Sequence, residues 1–171
     1  MEVRSVEAIV RALNEAEVRY LIVDGLAVIA HGYERLTQDV DLVIGLQPEN
    51  IVRGLRSLQS IEYHMSIPVA PEEFAKPELR EQWRKDKGMV VLKLWSDVHR
   101  RTPIDVFIYE PFDFAREFAA ARWESVFGEV KAPIVSYEAL VKMKQEAARP
   151  QDLADLVDLA RVQELKNEFE L

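Results

Sequence analysis

The sequence predicts an α+β protein with one mixed β-sheet, helices packed on it and a helical C-terminal tail. In the first part of the chain, short apolar runs typical of buried strands alternate with segments of helical periodicity. Two strand-like runs then follow each other across a polar loop, which indicates a hairpin. The last part carries helix signals, so helices end the chain.

The first part of the chain gives the clearest element signals. Apolar residues recur at helical spacing after a serine that can cap a helix, and glycines close the short strands and helices. We predict, in order, a helix over 6–16 capped by Ser5, a strand over 19–23, a brief helix over 26–30, a strand over 39–44 and a helix over 49–58.

Helix and strand signals vary in clarity over the rest of the chain. The segment over 61–87 combines three prolines with mixed charge and is predicted to be an insertion with one short helix. The later elements are a hairpin of strands over 90–95 and 104–109, a helix over 112–123, an edge strand over 132–135, a helix from the cap Ser136 to about 148, and a last helix from Pro150. We expect a single domain over 1–171, with a core over about 1–110 and a helical part over about 111–171.

Composition excludes several classes of protein. The 171 residues are 49% hydrophobic and 30% charged, as in an ordinary globular domain, and no apolar run approaches the roughly 20 residues of a membrane span. The start of the chain has no hydrophobic stretch typical of a signal peptide, and the absence of cysteine excludes disulfides and thiolate metal sites. We therefore expect a cytoplasmic protein without a membrane partner.

The net charge of −8 argues against general coating of nucleic acid, because such binding depends on Lys and Arg that neutralise phosphates. A local basic patch remains open. A site built from carboxylates and metal would add to the acidic count.

Two carboxylates stand at the head of an apolar run. Asp39 and Asp41 are two residues apart, so on a strand both side chains project to one face, roughly 6–7 Å apart along the chain. Carboxylates so close repel each other, and a divalent ion such as Mg²⁺ would remove that conflict.

Asp105 repeats the pattern on a later strand, between the apolar residues Ile104 and Val106. If that strand neighbours the one with Asp39 and Asp41, three carboxylates converge. Three acids around two metal ions suit in-line phosphoryl or nucleotidyl transfer. The alternative is structural: Asp39 caps its strand, Asp41 forms a salt bridge with Arg35, and Asp105 faces solvent on an edge.

A glycine turn precedes the acids. Gly25 follows a strand and opens a short helix, and a helix start offers free N–H groups and a positive dipole end to an anion. The β- and γ-phosphates of a nucleotide could rest there while metal ions bridge them to Asp39 and Asp41.

These residues resemble the polymerase-β-like nucleotidyltransferase superfamily. Its motif is a hydrophobic residue, Gly and Gly or Ser, then nine to thirteen residues, then two acids separated by one hydrophobic residue, with a third acid on a later strand. Here Gly25 matches the second motif position, thirteen residues intervene before Asp39 and Asp41, and Asp105 matches the third acid. The resemblance implies the nucleotidyltransferase fold.

The chain is most similar to the minimal prokaryotic branch, which includes AbiEii-type toxin nucleotidyltransferases. That branch typically reads GGLAVxxHGxxRxTxDxDL, and the stretch over 24–42 follows it closely. The segment MKQEAARPQDL, over 143–153, resembles the branch's MKxxAxRxxD helix pair.

The resemblance implies a role for each motif residue. Asp39, Asp41 and Asp105 would bind the metal ions, Mg²⁺ or Mn²⁺, and Asp105 would also help deprotonate the acceptor hydroxyl. The residues implied in nucleotide binding, each with a structural alternative such as a tight turn, a cap or an ion pair, are Gly25, Leu26, Arg35, Thr37 and Lys144.

Asp24 departs from the motif, because it replaces the first glycine. A carboxylate there could repel phosphate, coordinate an extra cation, or turn away and cap the following helix. NTP affinity, and with it activity, depends on which of these holds.

Two other groups of residues carry weaker signals. His31 is expected to help end its helix by interacting with the terminal carbonyls. The basic residues around Trp83 and the run over 99–101 could contact an RNA or protein acceptor, or form a solvated surface.

The sequence thus predicts a metal-dependent nucleotidyltransferase that transfers an NMP from an NTP to a hydroxyl of an RNA, a protein or a small molecule, with a place in a toxin–antitoxin system. Two alternatives remain: a catalytically silent binding or antitoxin module of the same fold, and a phosphohydrolase that uses the same acids. The sequence does not define the oligomeric state.

Overall fold

The computed structural model describes residues 1–125 and 128–169, so positions 126–127 and 170–171 of the predicted domain lie outside the described residues. The helices are α1 Val3–Glu15, α2 Asp24–Ala30, α3 Pro48–Ser60, α4 Pro71–Phe74, α5 Pro77–Lys87, α6 Phe114–Ala120, α7 Tyr137–Ala147 and α8 Pro150–Phe169. The strands are β1 Tyr20–Val23, β2 Val40–Ile44, β3 His64–Met65, β4 Val91–Trp95, β5 Ile104–Phe107, β6 Arg122–Glu124 and β7 Ala132–Ile134.

The strands form one mixed sheet in the order β3-β4-β5-β2-β1-β7-β6. β2 pairs in parallel with β5, and β1 pairs in parallel with β7, while β1/β2, β3/β4, β4/β5 and β6/β7 are antiparallel. This confirms the predicted fold class, including the β4–β5 hairpin and the C-terminal helices.

The core lies where apolar stripes of the helices meet the centre of the sheet. All four residues of β1 are buried, as expected of a strand covered on both faces. α1 contributes a stripe at helical spacing, Val6, Ile9, Val10 and Leu13, and α3 contributes Ile51, Leu55 and Leu58. In β2 the alternate residues Val40, Leu42 and Ile44 are buried, which leaves Asp41 on the other face.

The helix start at Ser5 is a wrong prediction. α1 begins at Val3, and Ser5 lies inside its first turn, buried, with Oγ 2.9 Å from Nδ1 of His99. The hydroxyl is engaged by a distant loop and does not cap the helix.

The segment over 61–87 is more ordered than predicted, since it contains β3 and two helices, α4 and α5, instead of one. Pro71 and Pro77 each stand in the first turn of a helix, where proline is tolerated because that N–H has no partner within the helix. The prolines therefore open helices and do not interrupt them.

One helix boundary and one strand position in the last part also differ from the prediction. The helix expected over 112–123 ends at Ala120, and the chain continues into β6. β7 is an inner strand between β1 and β6, and so the predicted edge position belongs to β6.

The helical C-terminal tail agrees with the prediction. Ser136 Oγ accepts a hydrogen bond from the Ala139 N–H at 3.1 Å and caps α7. α7 ends at Ala148, whose φ of 47° is left-handed, and Pro150 starts α8. Among the described residues, none of the helices combines the length and apolar composition that a membrane crossing requires.

Candidate active site

Two of the predicted acids face each other across neighbouring strands. β2 and β5 are adjacent and parallel, and Asp41 lies directly opposite Asp105 in their register. Asp39 immediately precedes β2, where the Val40 N–H donates to the Pro103 carbonyl at 3.0 Å. The strand pairing on which the prediction depended is therefore present.

The electrostatics of Asp41 reflect a concentration of negative charge. Burial raises its pKa well above the usual carboxyl range, and the charges of Asp24, Asp39 and Asp105 raise it further. Burial also raises the pKa of Asp105, which a nearby lysine partly offsets. Burial and the neighbouring negative charges thus disfavour ionisation of the Asp41 and Asp105 carboxyl groups.

That lysine is Lys93, on the hairpin strand β4. It pairs in register with Asp105, and its Nζ lies 3.5 Å from Asp105 Oδ2. The Lys93 side chain is largely exposed, so this is a solvent-facing ion pair on the same sheet face as the acids.

A second acidic cluster lies beside the first. Among the described residues, the three carboxylates whose oxygens come within 4.8 Å of one another are those of Asp24, Asp152 and Asp155. The Lys144 ammonium lies 2.6 Å, 3.2 Å and 2.6 Å from them respectively. Lys144 therefore takes the position that a bound cation would need.

Lys144 itself is almost completely buried, with a side chain 2% exposed. Burial alone would lower its pKa, but the charges and hydrogen bonds of Asp24 and Asp155 raise the pKa overall. The ammonium thus stays charged inside a cage of carboxylates. Lys144 also lines the cleft that the acids open into, and its role in binding phosphate stays a prediction.

Asp24 does not cap the following helix with its side chain, whereas its effects on phosphate or on an added cation stay predictions. Its carboxylate accepts from Lys144 Nζ at 2.6 Å and from Arg149 Nη2 at 2.8 Å, so it ties α2 to the start of α8. Its backbone φ of 48° lies in the left-handed region, which a glycine adopts without strain and which Asp tolerates better than most residues. The backbone position explains the motif glycine, and the ion pairs explain why an aspartate is accommodated.

Arg149 closes the same network from the turn between α7 and α8. Its Nε donates to Asp152 Oδ2 at 2.7 Å, and these two charges support each other. Hydrogen bonding to Asp152 raises the pKa of Arg149, and burial, which alone would raise the pKa of Asp152, is outweighed by Arg149 and Lys144, so that pKa is lowered.

The predicted glycine turn is closely covered by side chains. A Cβ placed on Gly25 would lie 2.4 Å from Thr37 Oγ1 and 3.3 Å from Arg35 Nη2. The Arg35 guanidinium bonds to Asp155 and so pairs with neither Asp39 nor Asp41, while Thr37 Oγ1 donates weakly to the Asp39 carbonyl at 3.4 Å. The structure therefore brings Gly25, Thr37 and Arg35 together next to the acids.

Leu26 lies in the first turn of α2 with a fully buried side chain, so only its backbone could serve a ligand. His31 departs from its prediction. Its Nε2–H donates to the Val135 carbonyl at 2.9 Å, and the Lys166 ammonium donates to the backbone carbonyl of His31. His31 thus joins α2 to the segment after β7, and burial lowers its pKa.

The acids open into a cleft of about 480 Å³ between the sheet and α7. Its acidic part contains Asp24, Asp41 and Asp105, and Lys93, Lys144 and Arg149 lie beside them. Its other part is apolar, and sequence reasoning missed it; the residues there include Val91, Phe107, Tyr109, Pro111, Leu140 and Met143. The spacing of Phe107 two residues after Asp105 was the available signal, because that spacing places both on one face of a strand.

Arg84 is the member of the basic run that reaches this wall. Its guanidinium carbon lies 3.8 Å from the centre of the Tyr109 ring, which fixes that ring at the end of the cleft. Arg80, by contrast, is buried and donates to the Phe74 carbonyl at 2.6 Å, so its role is structural.

Solved structures similar to this chain include the following two. One is a lincosamide antibiotic adenylyltransferase, LnuA, in its lincomycin-bound crystal structure, with a TM-score of 0.56 and 15% identity over 93% of this chain and 96% of that one. The other is an antigenic nucleotidyltransferase-like protein from Paracoccidioides brasiliensis, with a TM-score of 0.54 and 15% identity over 92% of this chain and 75% of that one. No protein-family model and no curated protein sequence matches the chain. At this identity the likeness establishes the fold, which is the nucleotidyltransferase fold predicted from the motifs.

Proposed function

We propose that this chain, with its nucleotidyltransferase fold, transfers an NMP from an NTP to an acceptor hydroxyl and releases pyrophosphate. One observation carries the proposal: Asp41 and Asp105 lie opposite each other on adjacent strands, at the mouth of a cleft large enough for a nucleotide. Asp39 precedes that strand, and its charge acts on both Asp41 and Asp105. It does not line the cleft, and among the described residues Asp39, Asp41 and Asp105 are not a set whose oxygens all come within 4.8 Å of one another.

The chemistry of these side chains fits divalent ions. Carboxylate oxygens are the ligands that Mg²⁺ and Mn²⁺ prefer. Burial and, after it, the charges of three neighbouring aspartates raise the pKa of Asp41, so a bound cation would favour its ionised form. We infer that Asp39, Asp41 and Asp105 would hold the ions. When bound, such ions neutralise the charge that develops on the phosphate oxygens.

The reaction is a substitution at phosphorus. The acceptor oxygen forms a bond to the α-phosphorus, the bond from that phosphorus to the bridging oxygen breaks, and pyrophosphate leaves. Asp105 would accept the hydroxyl proton and pass it to solvent. The register places Asp105 between Asp41 on β2 and the exposed Lys93 on β4. That position supports the assignment, because Asp105 lies next to another acid and next to a solvent-facing side chain.

The donor would lie in the cleft. Gly25, Leu26, Thr37 and Arg35 lie next to Asp24 but outside the lining of the cleft, so a contact of the Leu26 N–H or Thr37 with the phosphates rests on the motif and would require the side chains over Gly25 to move. The apolar part of the cleft, with Phe107 and Tyr109, offers a surface on which a nucleobase can stack. Lys144 and Arg149 would then offset the charge of Asp24, which lines the cleft.

The identity of the acceptor and the cellular role belong to the same proposal. LnuA, by its name, adenylylates a small-molecule antibiotic, whereas the motifs of this chain resemble AbiEii-type toxin nucleotidyltransferases. The second likeness favours a macromolecular acceptor and a place in a toxin–antitoxin system in the cytoplasm. RNA, protein and small molecule are all acceptors that the test must include.

The test is incubation with each radiolabelled NTP, with Mg²⁺ or Mn²⁺, and with total RNA, lysate protein or small-molecule extract. We expect the wild type to label one acceptor class, and Asp39→Ala/Asp41→Ala to abolish labelling. The matched control is Asp86→Asn, which removes an exposed carboxylate from α5, outside the cleft, and should leave labelling unchanged.

Three results would overturn the proposal. Labelling that survives the double substitution would remove the acids from the mechanism. If NTP with Mg²⁺ caused no thermal shift, the chain would be the catalytically silent module instead, because a ligand at 100 times its Kd stabilises by about 2.7 kcal/mol. Release of labelled phosphate without a labelled acceptor would indicate a phosphohydrolase.

A further inference from the structure

The sheet face that carries the acids continues past the cleft to an exposed tryptophan. Lys93 and Trp95 lie two residues apart on β4 and so share a face, and Lys93 reaches Asp105 on that face. Trp95 is 48% exposed, unusual for so large an apolar side chain. Trp95 therefore offers an exposed aromatic surface beside the acidic site.

His64 lies next to Trp95 on the neighbouring strand. The two residues are register partners in β3 and β4, and their ring centres are 5.0 Å apart with planes inclined by 42°. Both are exposed at the open side of the sheet. We call this pair the Trp95–His64 platform.

The platform and the cleft lie on opposite sides of the acids. Along β4, Val91 precedes Lys93 by two residues and pairs with Phe107 in the cleft, whereas Trp95 follows Lys93 by two residues, roughly 6–7 Å away along the strand. In a substitution at phosphorus the attacking and leaving oxygens stand roughly in line, on opposite sides. A donor in the cleft therefore leaves the platform side for the acceptor.

Cations accompany the platform although the chain carries a net charge of −8. Lys93 stands between the platform and Asp105, and Arg100 and Arg101 lie in the loop that follows Trp95, both with largely exposed side chains. Their ion-pair partners, Asp97 at 3.7 Å and Glu2 at 4.0 Å, are distant and exposed, so these contacts are weak. Aromatic rings next to cations are the combination that binds single-stranded nucleic acid.

We propose that the acceptor is a nucleotide unit with a free ribose hydroxyl, whose base stacks on the Trp95–His64 platform and whose phosphate contacts Lys93. The inference rests on the proposed nucleotidyl transfer and names the acceptor class. The ribose oxygen attacks the α-phosphorus of the NTP, its proton passes to Asp105, and pyrophosphate leaves. The same chemistry is offered by the end of an RNA strand and by a free nucleotide.

The experiment measures acceptor binding without donor, so that it is independent of catalysis. A fluorescent single-stranded oligoribonucleotide with a free 3′ hydroxyl is titrated into the wild type, Trp95→Ala and Trp95→Phe. Stacking on an aromatic ring contributes about 1–3 kcal/mol per base, so we expect Trp95→Ala to weaken binding about 5- to 150-fold. Trp95→Phe should recover most of the affinity.

Trp123→Ala is the matched control. Trp123 is 46% exposed, nearly the same as Trp95, but it lies on β6 at the opposite edge of the sheet. We expect its removal to leave RNA affinity unchanged. Equal affinity of Trp95→Ala and the wild type would overturn the proposal, as would equal losses in the two Trp→Ala variants.

Further measurements distinguish a free nucleotide from a strand end as the acceptor, and separate failure of the platform from failure of the proposed function. Titration with AMP tests whether the acceptor is a free nucleotide. If the affinity for AMP also depends on Trp95, the platform binds free nucleotides. If only the affinity for the oligoribonucleotide depends on Trp95, the acceptor is the end of a strand. Transfer to the oligoribonucleotide should disappear when its 3′ hydroxyl is phosphorylated, and labelling that persists would contradict the acceptor assignment. The thermal shift with NTP and Mg²⁺ should be equal in wild type and Trp95→Ala, and its absence in both would refute the proposed function and not the platform.

Discussion

Asp41 and Asp105 lie directly opposite each other on two parallel, hydrogen-bonded strands, so the fold itself holds two carboxylates on one face at adjacent positions. A parallel pair of neighbouring strands is formed by segments distant in sequence, here joined through three helices and two strands. The relationship is therefore a property of the topology, and it concentrates negative charge at one point of the sheet.

Asp41→Asn should stabilise the metal-free protein at neutral pH. Burial and the negative neighbours raise the pKa of Asp41 above its value in the unfolded chain, so between the two values the folded state binds more protons. That contribution to stability is present at low pH and is lost as the pH rises, and the amide avoids the loss. We expect a higher melting temperature at pH 7, by roughly 2–4 °C per kcal/mol, with the gain shrinking towards pH 4.

Magnesium supplies the control for this prediction. Added Mg²⁺ should raise the melting temperature of the wild type more than that of Asp41→Asn. The higher melting temperature of Asp41→Asn without metal should therefore shrink to the wild-type value or fall below it. Asp86→Asn, on the exposed surface of α5, should match the wild type throughout. A variant Asp41→Asn less stable than the wild type at pH 7 without metal would show that the carboxylate is already compensated.

The sequence allowed the central strands and the hairpin to be predicted because their signals are local. The strand over 39–44 and the pair around residues 92 and 106 have apolar runs of strand length bounded by turn residues. Pro71 and Pro77 misled the prediction, because proline marks both helix starts and breaks and only the fold decides between them. The position of β7 inside the sheet depends on long-range pairing, which no local pattern encodes.

Lys144→Met should destabilise the protein by about 3–5 kcal/mol, because it leaves Asp24, Asp152 and Asp155 without their shared cation in a buried cluster. Urea denaturation measures the free energy of unfolding. Adding Asp155→Asn to Lys144→Met should recover part of the loss, since one buried charge fewer remains.

Lys142→Met is the matched control for this substitution. Lys142 lies on the same helix, is exposed, and meets Glu146 at 3.9 Å, so its replacement should change the free energy of unfolding by less than about 0.5 kcal/mol. A similar small effect for Lys144→Met would mean that the buried ion pairs do not hold α7 to α2 and α8.

The site was only partly predictable for the same physical reason. The acids and Gly25 are in one continuous motif, and Asp105 could be found from the alternation on its own strand. The ion pairs of Asp24 with Lys144 and Arg149 join residues 120 and 125 positions apart, so no spacing in the sequence reports them. Lys144 and Arg35 were expected at phosphate, and the carboxylates of α8 that engage them became visible only in the fold.

Gly25→Ala should weaken NTP binding, because the added methyl group would lie 2.4 Å from Thr37 Oγ1 and 2.8 Å from Thr37 Cβ. Relief of that overlap requires the segment before Asp39 to move, which shifts the acids away from the α2 turn. We expect a loss of at least tenfold in affinity, measured by titration calorimetry with NTP and Mg²⁺.

Gly88→Ala separates this contact from a general cost of replacing glycine. Gly88 has φ +59°, but nothing lies within 4 Å of a Cβ placed there, so alanine costs about 1–2 kcal/mol of backbone strain without a clash. It should lower stability and leave NTP affinity unchanged. Equal affinities of Gly25→Ala and the wild type would exclude the Gly25 turn from the nucleotide site.

His31 should make the stability of the protein fall in mild acid. Burial lowers its pKa below the usual value of 6.5, and the charges of Arg122 and Lys166 act in the same direction, whereas the hydrogen bond to the Val135 carbonyl and the charge of Glu124 oppose the shift. The unfolded chain therefore binds more protons than the folded one just below pH 6.5, so this contribution is complete above that pH and is lost as the pH falls towards the lowered pKa. His31→Gln, whose amide can still donate to Val135 but does not titrate, should lose less stability between pH 7 and pH 5, as measured by urea denaturation at each pH. Parallel curves for the two proteins would show that His31 binds protons equally in the folded and unfolded chain, which contradicts its buried position between α2 and the segment after β7.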